Sequence, residues 1–121
     1  MLDRVRTPFN VNTAAQLAAQ AAWGDPDHMT TSVRATVAQR DLMRTQVRAL
    51  GLTVAPSAAN FLFLDLGVPN GPVTQALLSR GIIIKPWKEA GYETFVRVSV
   101  GSEANNRLFV AATADIMHLQ A

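Results

Sequence analysis

No cysteine occurs among the 121 residues, so neither a disulfide framework nor a thiolate metal site is available. Imidazoles are nearly as scarce, with only His28 and His118, so a metal site is not expected. No apolar run approaches the ~18 residues that a membrane-spanning helix needs. The opening Met1-Leu2-Asp3-Arg4-Val5-Arg6 has no apolar stretch resembling a secretory signal, so the expectation is a cytoplasmic protein. Charge is also sparse, at 17% of residues with a net +2, and the sequence pI near 9.7 therefore does not argue for nucleic acid. Arg34, Arg40, Arg44 and Arg48 recur at helical spacing with Asp41 among them and no interleaved aromatics, the pattern of a solvated helix face.

What remains is 49% hydrophobic and fits one globular domain with a modest core. Residues 1–12 read as an extended lead-in containing Pro8. Asn12 or Thr13 then caps a helix of almost wholly small, apolar surface that stops at Gly24, a surface expecting neighbours on more than one side. Asp25-Pro26 starts a second helix that runs to the Gly51 C-cap. At ~1.5 Å per residue it would be about 37 Å long, which suggests a bridge to something beyond this domain.

Downstream, Thr53-Val54-Ala55 and Asn60 to Leu66 read as strands, the second apolar on both faces as a central strand or domain interface requires. Pro72 opens a short helix ended by Gly81, and Ile82-Ile83-Ile84 reads as a buried strand delivering Lys85-Pro86. A loop with Trp87 and Tyr92 leads to a last strand, Thr94 to Gly101. Ser102 caps a final helix with Leu108, Phe109, Ala112, Ile116 and Leu119 as its buried stripe. The fold class expected is α/β of an α+β-like kind: a mixed or antiparallel sheet of about four strands, helices mainly on one face, preceded by the long bridging helix.

Within the last strand, period-2 alternation puts Val96, Val98 and Val100 on one face and Phe95, Arg97 and Ser99 on the other. An Arg on a buried face needs an anionic partner, and a small-molecule carboxylate held by the planar fork would serve. On a wet face it needs none.

Four segments together are similar to the C-terminal third of fold-type I pyridoxal-phosphate aminotransferases, and most of all to the histidinol-phosphate aminotransferases. They are Val5 to Asn12, Pro56-Ser57-Ala58-Ala59-Asn60-Phe61-Leu62, Arg80 to Pro86, and Val96 to Gly101 ahead of Glu103. The resemblance covers nearly the whole chain. It implies that Arg97 binds the substrate's α-carboxylate or the corresponding end of histidinol phosphate. Lys85 falls where the family commonly has arginine, at the substrate site; lysine keeps the charge without the planar fork, and its other role is a snorkelling strand end. Asn60 matches an asparagine near the pocket and alternatively starts its strand. Asn10 and Asn12 match the family's lead-in, where helix capping is the simpler role. Trp87 and Tyr92 either lean over a substrate ring or pin their loop.

The same resemblance implies a pyridoxal 5'-phosphate cofactor bound mainly upstream of this segment, by a Schiff-base lysine, an acid on the pyridine nitrogen and phosphate donors. Lys85 and Lys88 are the only lysines, and neither has the Ser-x-x-Lys context, so no catalytic or cofactor-binding residue is assigned here and the chain alone is expected to be inactive. Residues 1–24 would belong to a missing large domain and 25–121 to the small domain of a homodimeric enzyme. Substrates would be histidinol phosphate with 2-oxoglutarate, or another amino acid, with no nucleic acid and no membrane as partner. Two other readings compete: an aromatic amino-acid aminotransferase, and a non-catalytic interaction module on the same scaffold.

Overall fold

The computed structural model describes residues 11–118. Asn10 in the lead-in and Leu119 in the last helix therefore lie outside the described residues. By compactness the chain divides into two units, Met1–Arg34 and Ala35–Ala121.

The first unit holds helix α1, Thr13–Trp23, and the opening turns of α2, Pro26–Ala49. Asn12 caps α1 by accepting the Ala15 N–H at 2.8 Å. No residue of α1 is buried, and Trp23 is 89% exposed. Asp25 caps α2 in turn, its carboxylate accepting the His28 N–H at 2.9 Å. At the other end of α2, in the second unit, Gly51 adopts φ 82°, the left-handed conformation that a glycine enters without penalty. The Leu52 and Gly51 N–H groups donate back to the Val47 and Arg48 carbonyls at 3.3 and 2.9 Å, a Schellman closure.

The second unit is built on a four-stranded antiparallel sheet of β1 (Thr53–Val54), β2 (Phe61–Asp65), β3 (Lys85–Pro86) and β4 (Phe95–Ser99), in the order β1-β2-β4-β3. The inner pair runs in register from Phe61 opposite Ser99 to Asp65 opposite Phe95. Alternation sorts the two faces. Leu62, Leu64, Val96 and Val98 point into the core, joined there by Met43 and Val47 of α2, by residues of α3 (Asn70–Ser79) and by Phe109 and Ala112 of α4 (Glu103–Ile116). The opposite face, with Phe61, Phe63, Phe95 and Arg97, is only half-buried. The expected α/β class and the antiparallel alternative for the sheet are both observed.

Several boundaries differ from expectation. Ile82-Ile83-Ile84 is not a buried strand: the ladder forms at Lys85–Pro86, and Ile83 is 84% exposed. The Ile82 N–H is spent closing the turn after α3 on the Leu77 carbonyl at 3.0 Å, so strand pairing starts only beyond it. Helix α3 begins at Asn70 rather than Pro72, which sits in the first turn where its missing N–H costs nothing. Leu108 is 57% exposed, because the α4 stripe runs through Asn106, Phe109, Ala112 and Thr113. A residue one step from Phe109 turns about 100° away from that stripe. The arginine row is also not simply solvated: the Arg40 side chain is 12% exposed, pairs with Asp41 at 3.3 Å and donates to the Ala59 carbonyl, while Arg48 donates to the Val54 carbonyl.

Candidate anion-binding face

The half-buried face of the sheet is laid out in rows by the strand register. Its middle row is Phe63 on β2, Arg97 on β4 and Lys85 on β3, each directly opposite the next. On one side of it lies the Phe61–Ser99 pair; on the other lie Asp65, Phe95 and Trp87. Two cations thus face one another across β3 and β4, where like charges repel unless an anion sits between or near them. Among the described residues, no carboxylate lies within ion-pair distance of either. Instead, the Arg97 guanidinium carbon lies 5.2 Å from the Phe61 ring centroid, and the Lys85 Nζ lies 5.2 Å from the Trp87 ring.

Rings fill the rest of this face. Phe63 meets Trp87 edge-on at 5.2 Å and stacks on Phe95 at 5.0 Å, while Tyr92 packs edge-on against Phe95 at 5.1 Å. Trp87 and Tyr92 therefore pin the 87–93 loop onto the sheet, the second of the two roles foreseen for them. A buried asparagine completes the attachment. The Phe95 N–H is diverted to the Tyr92 carbonyl, which leaves the Trp87 carbonyl without its ladder donor. The Asn70 side-chain amide supplies it, donating to Trp87 O at 3.0 Å and to Phe95 O at 2.8 Å. At the loop's end, Glu93 accepts the Gly91 N–H at 3.0 Å, and this bond holds its carboxyl below the usual range.

Of the three residues singled out from the sequence, the fold brings Arg97 and Lys85 side by side. Asn60 stands apart: it is exposed, directly precedes Phe61, and accepts the Val100 N–H on its carbonyl at 2.8 Å. That position lies about 10 Å along the ladder from Arg97, at roughly 3.4 Å per residue. Sequence reasoning missed Phe61 and Asn70. Alternation in β2 signals that Phe61 and Phe63 share a face, but only the register shows which cation they meet. Asn70-Gly71 reads locally as a turn, and nothing in it announces a bond to residues 17 and 25 positions away.

The described residues do not fit a pyridoxal phosphate site. Lys85 rests on Trp87, neither it nor Lys88 follows a serine at the required spacing, and the Gly101 N–H that opens α4 is already bonded to Asn106 Oδ1 at 2.9 Å. Groups of acidic and imidazole side chains able to hold a metal are absent among the described residues. No helix among them is long and apolar enough to cross a membrane.

An antiparallel sheet with helices on one face and, among the described residues, two cations without acidic partners on the other makes this an α/β domain with a candidate anion-binding face. The family model Aminotransferase class I and II matches residues 1–112, and the chain belongs to that family. It is 43% identical over 114 residues to histidinol-phosphate aminotransferase 3 of Rhizobium meliloti, covering 94% of this chain and 31% of that protein. The corresponding enzyme of Moorella thermoacetica is 39% identical over 116 residues, covering 96% and 30%. In three dimensions the chain matches the histidinol-phosphate aminotransferase of Sinorhizobium meliloti, solved in complex with pyridoxal-5'-phosphate, at a TM-score of 0.81 and 26% identity. That match covers 97% of this chain and 33% of the other. A putative aminotransferase of Burkholderia pseudomallei matches at 0.78 and 29% identity, over 96% and 36%. The chain thus spans about a third of the length of the relatives it matches.

Proposed function

We propose that this chain is the C-terminal, substrate-binding part of a pyridoxal-phosphate-dependent aminotransferase, and that the whole enzyme is a histidinol-phosphate transaminase of histidine biosynthesis. The observation that carries the reading is the Arg97–Lys85 pair, two adjacent cations with no acidic partner among the described residues, in a chain of this family. Arg97 grips the α-carboxylate of the glutamate partner or the matching end of histidinol phosphate through its planar fork. Lys85 offers a mobile point charge to phosphate. Asn60, at the start of β2, serves the strand end through its carbonyl bond to the Val100 N–H rather than the cation pair.

In this reading residues 1–24 belong with the large domain and 25–121 form the small one. The cofactor is held by parts of the cytoplasmic, homodimeric enzyme outside this chain, which alone has no transaminase activity. The contribution of this segment is binding and orientation, so that the substrate's reacting bond is presented in line for chemistry performed elsewhere.

Half-reactions of the full-length enzyme with histidinol phosphate and with phenylalanine, followed by cofactor absorbance, test the assignment. Histidinol phosphate is expected to react preferentially, and a clear preference for phenylalanine rejects the reading. Arg97→Met should raise KM for the anionic substrate by about 10–100-fold, the worth of one charge-assisted hydrogen-bonded contact. An unchanged KM removes Arg97 from the site.

A further inference from the structure

Resting on that reading, we propose that Phe61 is a positioning residue for Arg97: its ring is a platform that fixes the guanidinium without neutralising it. An arginine on a half-buried strand is usually immobilised by a carboxylate, which also consumes its charge and its donors. Here the guanidinium carbon lies 5.2 Å from the Phe61 centroid, inside the range where a ring face attracts a cation. A ring accepts no conventional hydrogen bond from the edge of the fork, so among the described residues nothing takes the N–H groups from an incoming anion.

The register shows a second consequence. Phe61 is not directly opposite Arg97; it pairs with Ser99, one row away. Trp87, the ring beside Lys85, pairs with the Phe95 row on the other side. The two cations start from opposed positions on β4 and β3 yet lean toward opposite ends of the ladder. Ring platforms thereby separate two like charges that strand pairing would otherwise press together. Phe61 sets the direction of the Arg97 arm.

The experiment is a set of variants of the full-length enzyme: Phe61→Leu, Phe61→Met and Phe61→Tyr, each alone and with Arg97→Met. Loss of the ring face in Phe61→Leu or Phe61→Met should raise KM for the anionic substrate about two- to fivefold with kcat little changed, while Phe61→Tyr keeps the parental KM. In the Arg97→Met background, Phe61→Leu should add nothing to KM, because the platform has no cation to hold. Equal KM effects in both backgrounds, or a Phe61→Tyr as impaired as Phe61→Met, would overturn the proposal and reduce Phe61 to packing. If Phe61→Leu does not fold, the Met and Tyr pair carries the same comparison. Failure of the wider reading looks different: then Arg97→Met itself leaves KM unchanged.

Discussion

Replacing Asn70 with alanine removes a side chain that connects the start of α3 to β4 and to Trp87, the residue just after β3. Two bonds are lost, to Trp87 O at 3.0 Å and Phe95 O at 2.8 Å, at a residue only 9% exposed. The losses are unequal, since Phe95 O keeps the Trp87 N–H at 3.0 Å whereas Trp87 O has no ladder donor to fall back on. Counting one orphaned acceptor at ~1–3 kcal/mol and one ordinary bond at ~1 kcal/mol gives a destabilisation of about 2–4 kcal/mol. With a urea slope of ~2 kcal/mol/M, the unfolding midpoint should fall by about 1–2 M, with the Trp87 fluorescence reporting early release of its loop. Asn70→Asp discriminates further. Its carboxylate faces two carbonyl oxygens, so burial and repulsion raise its folded pKa above the unfolded value. Its penalty should be smallest in acid, where the protonated form can donate, and should grow as pH rises through the folded pKa. A midpoint for Asn70→Ala within about 0.2 M of the parent would refute the argument that this amide replaces a missing ladder bond.

Two other outcomes are expected. Thr113 Oγ1 is buried without a hydrogen-bond partner among the described residues, so Thr113→Val should stabilise the fold by about 1 kcal/mol in the same urea titration, and a loss of stability would mean that the hydroxyl has a partner. The Glu93 carboxyl titrates below its usual range, chiefly because the Gly91 N–H binds its charged form. A depressed carboxylate stabilises above its unfolded pKa and loses that contribution as pH falls through the folded value, so the 87–93 loop should loosen in acid. Glu93→Gln should abolish that pH dependence in an NMR titration of the Gly91 amide, and its persistence would assign the effect to another group.

How far the sequence carried depended on whether the signal was local. Caps are local, and Asn12, Asp25, Ser102 and Gly51 end or begin their helices where expected. Alternation is local too, which is why the two faces of β4 were separable before any partner was known. Misreadings arose where several placements satisfy the same local preference. Ile82-Ile83-Ile84 has high strand propensity, yet the turn out of α3 claims its first N–H and leaves Ile83 in solvent. Leu108 and Phe109 are equally apolar, and only the direction in which α4 meets the sheet decides that Phe109 is inside.

By itself the sequence determined the order of elements, the capped ends of α1, α2 and α4 and the face on which Arg97 lies, because backbone sterics and side-chain periodicity act over a few residues. Its resemblance to an enzyme family was legible too, carried by short segments in a common order. Only the tertiary structure decided that β3 pairs with β4 so that Lys85 stands opposite Arg97, that Phe61 and Trp87 carry the two cations, and that Asn70 ties the loop down. Strand register and long-range hydrogen bonds are set by how the whole core closes, and that closure is a collective property no local window contains.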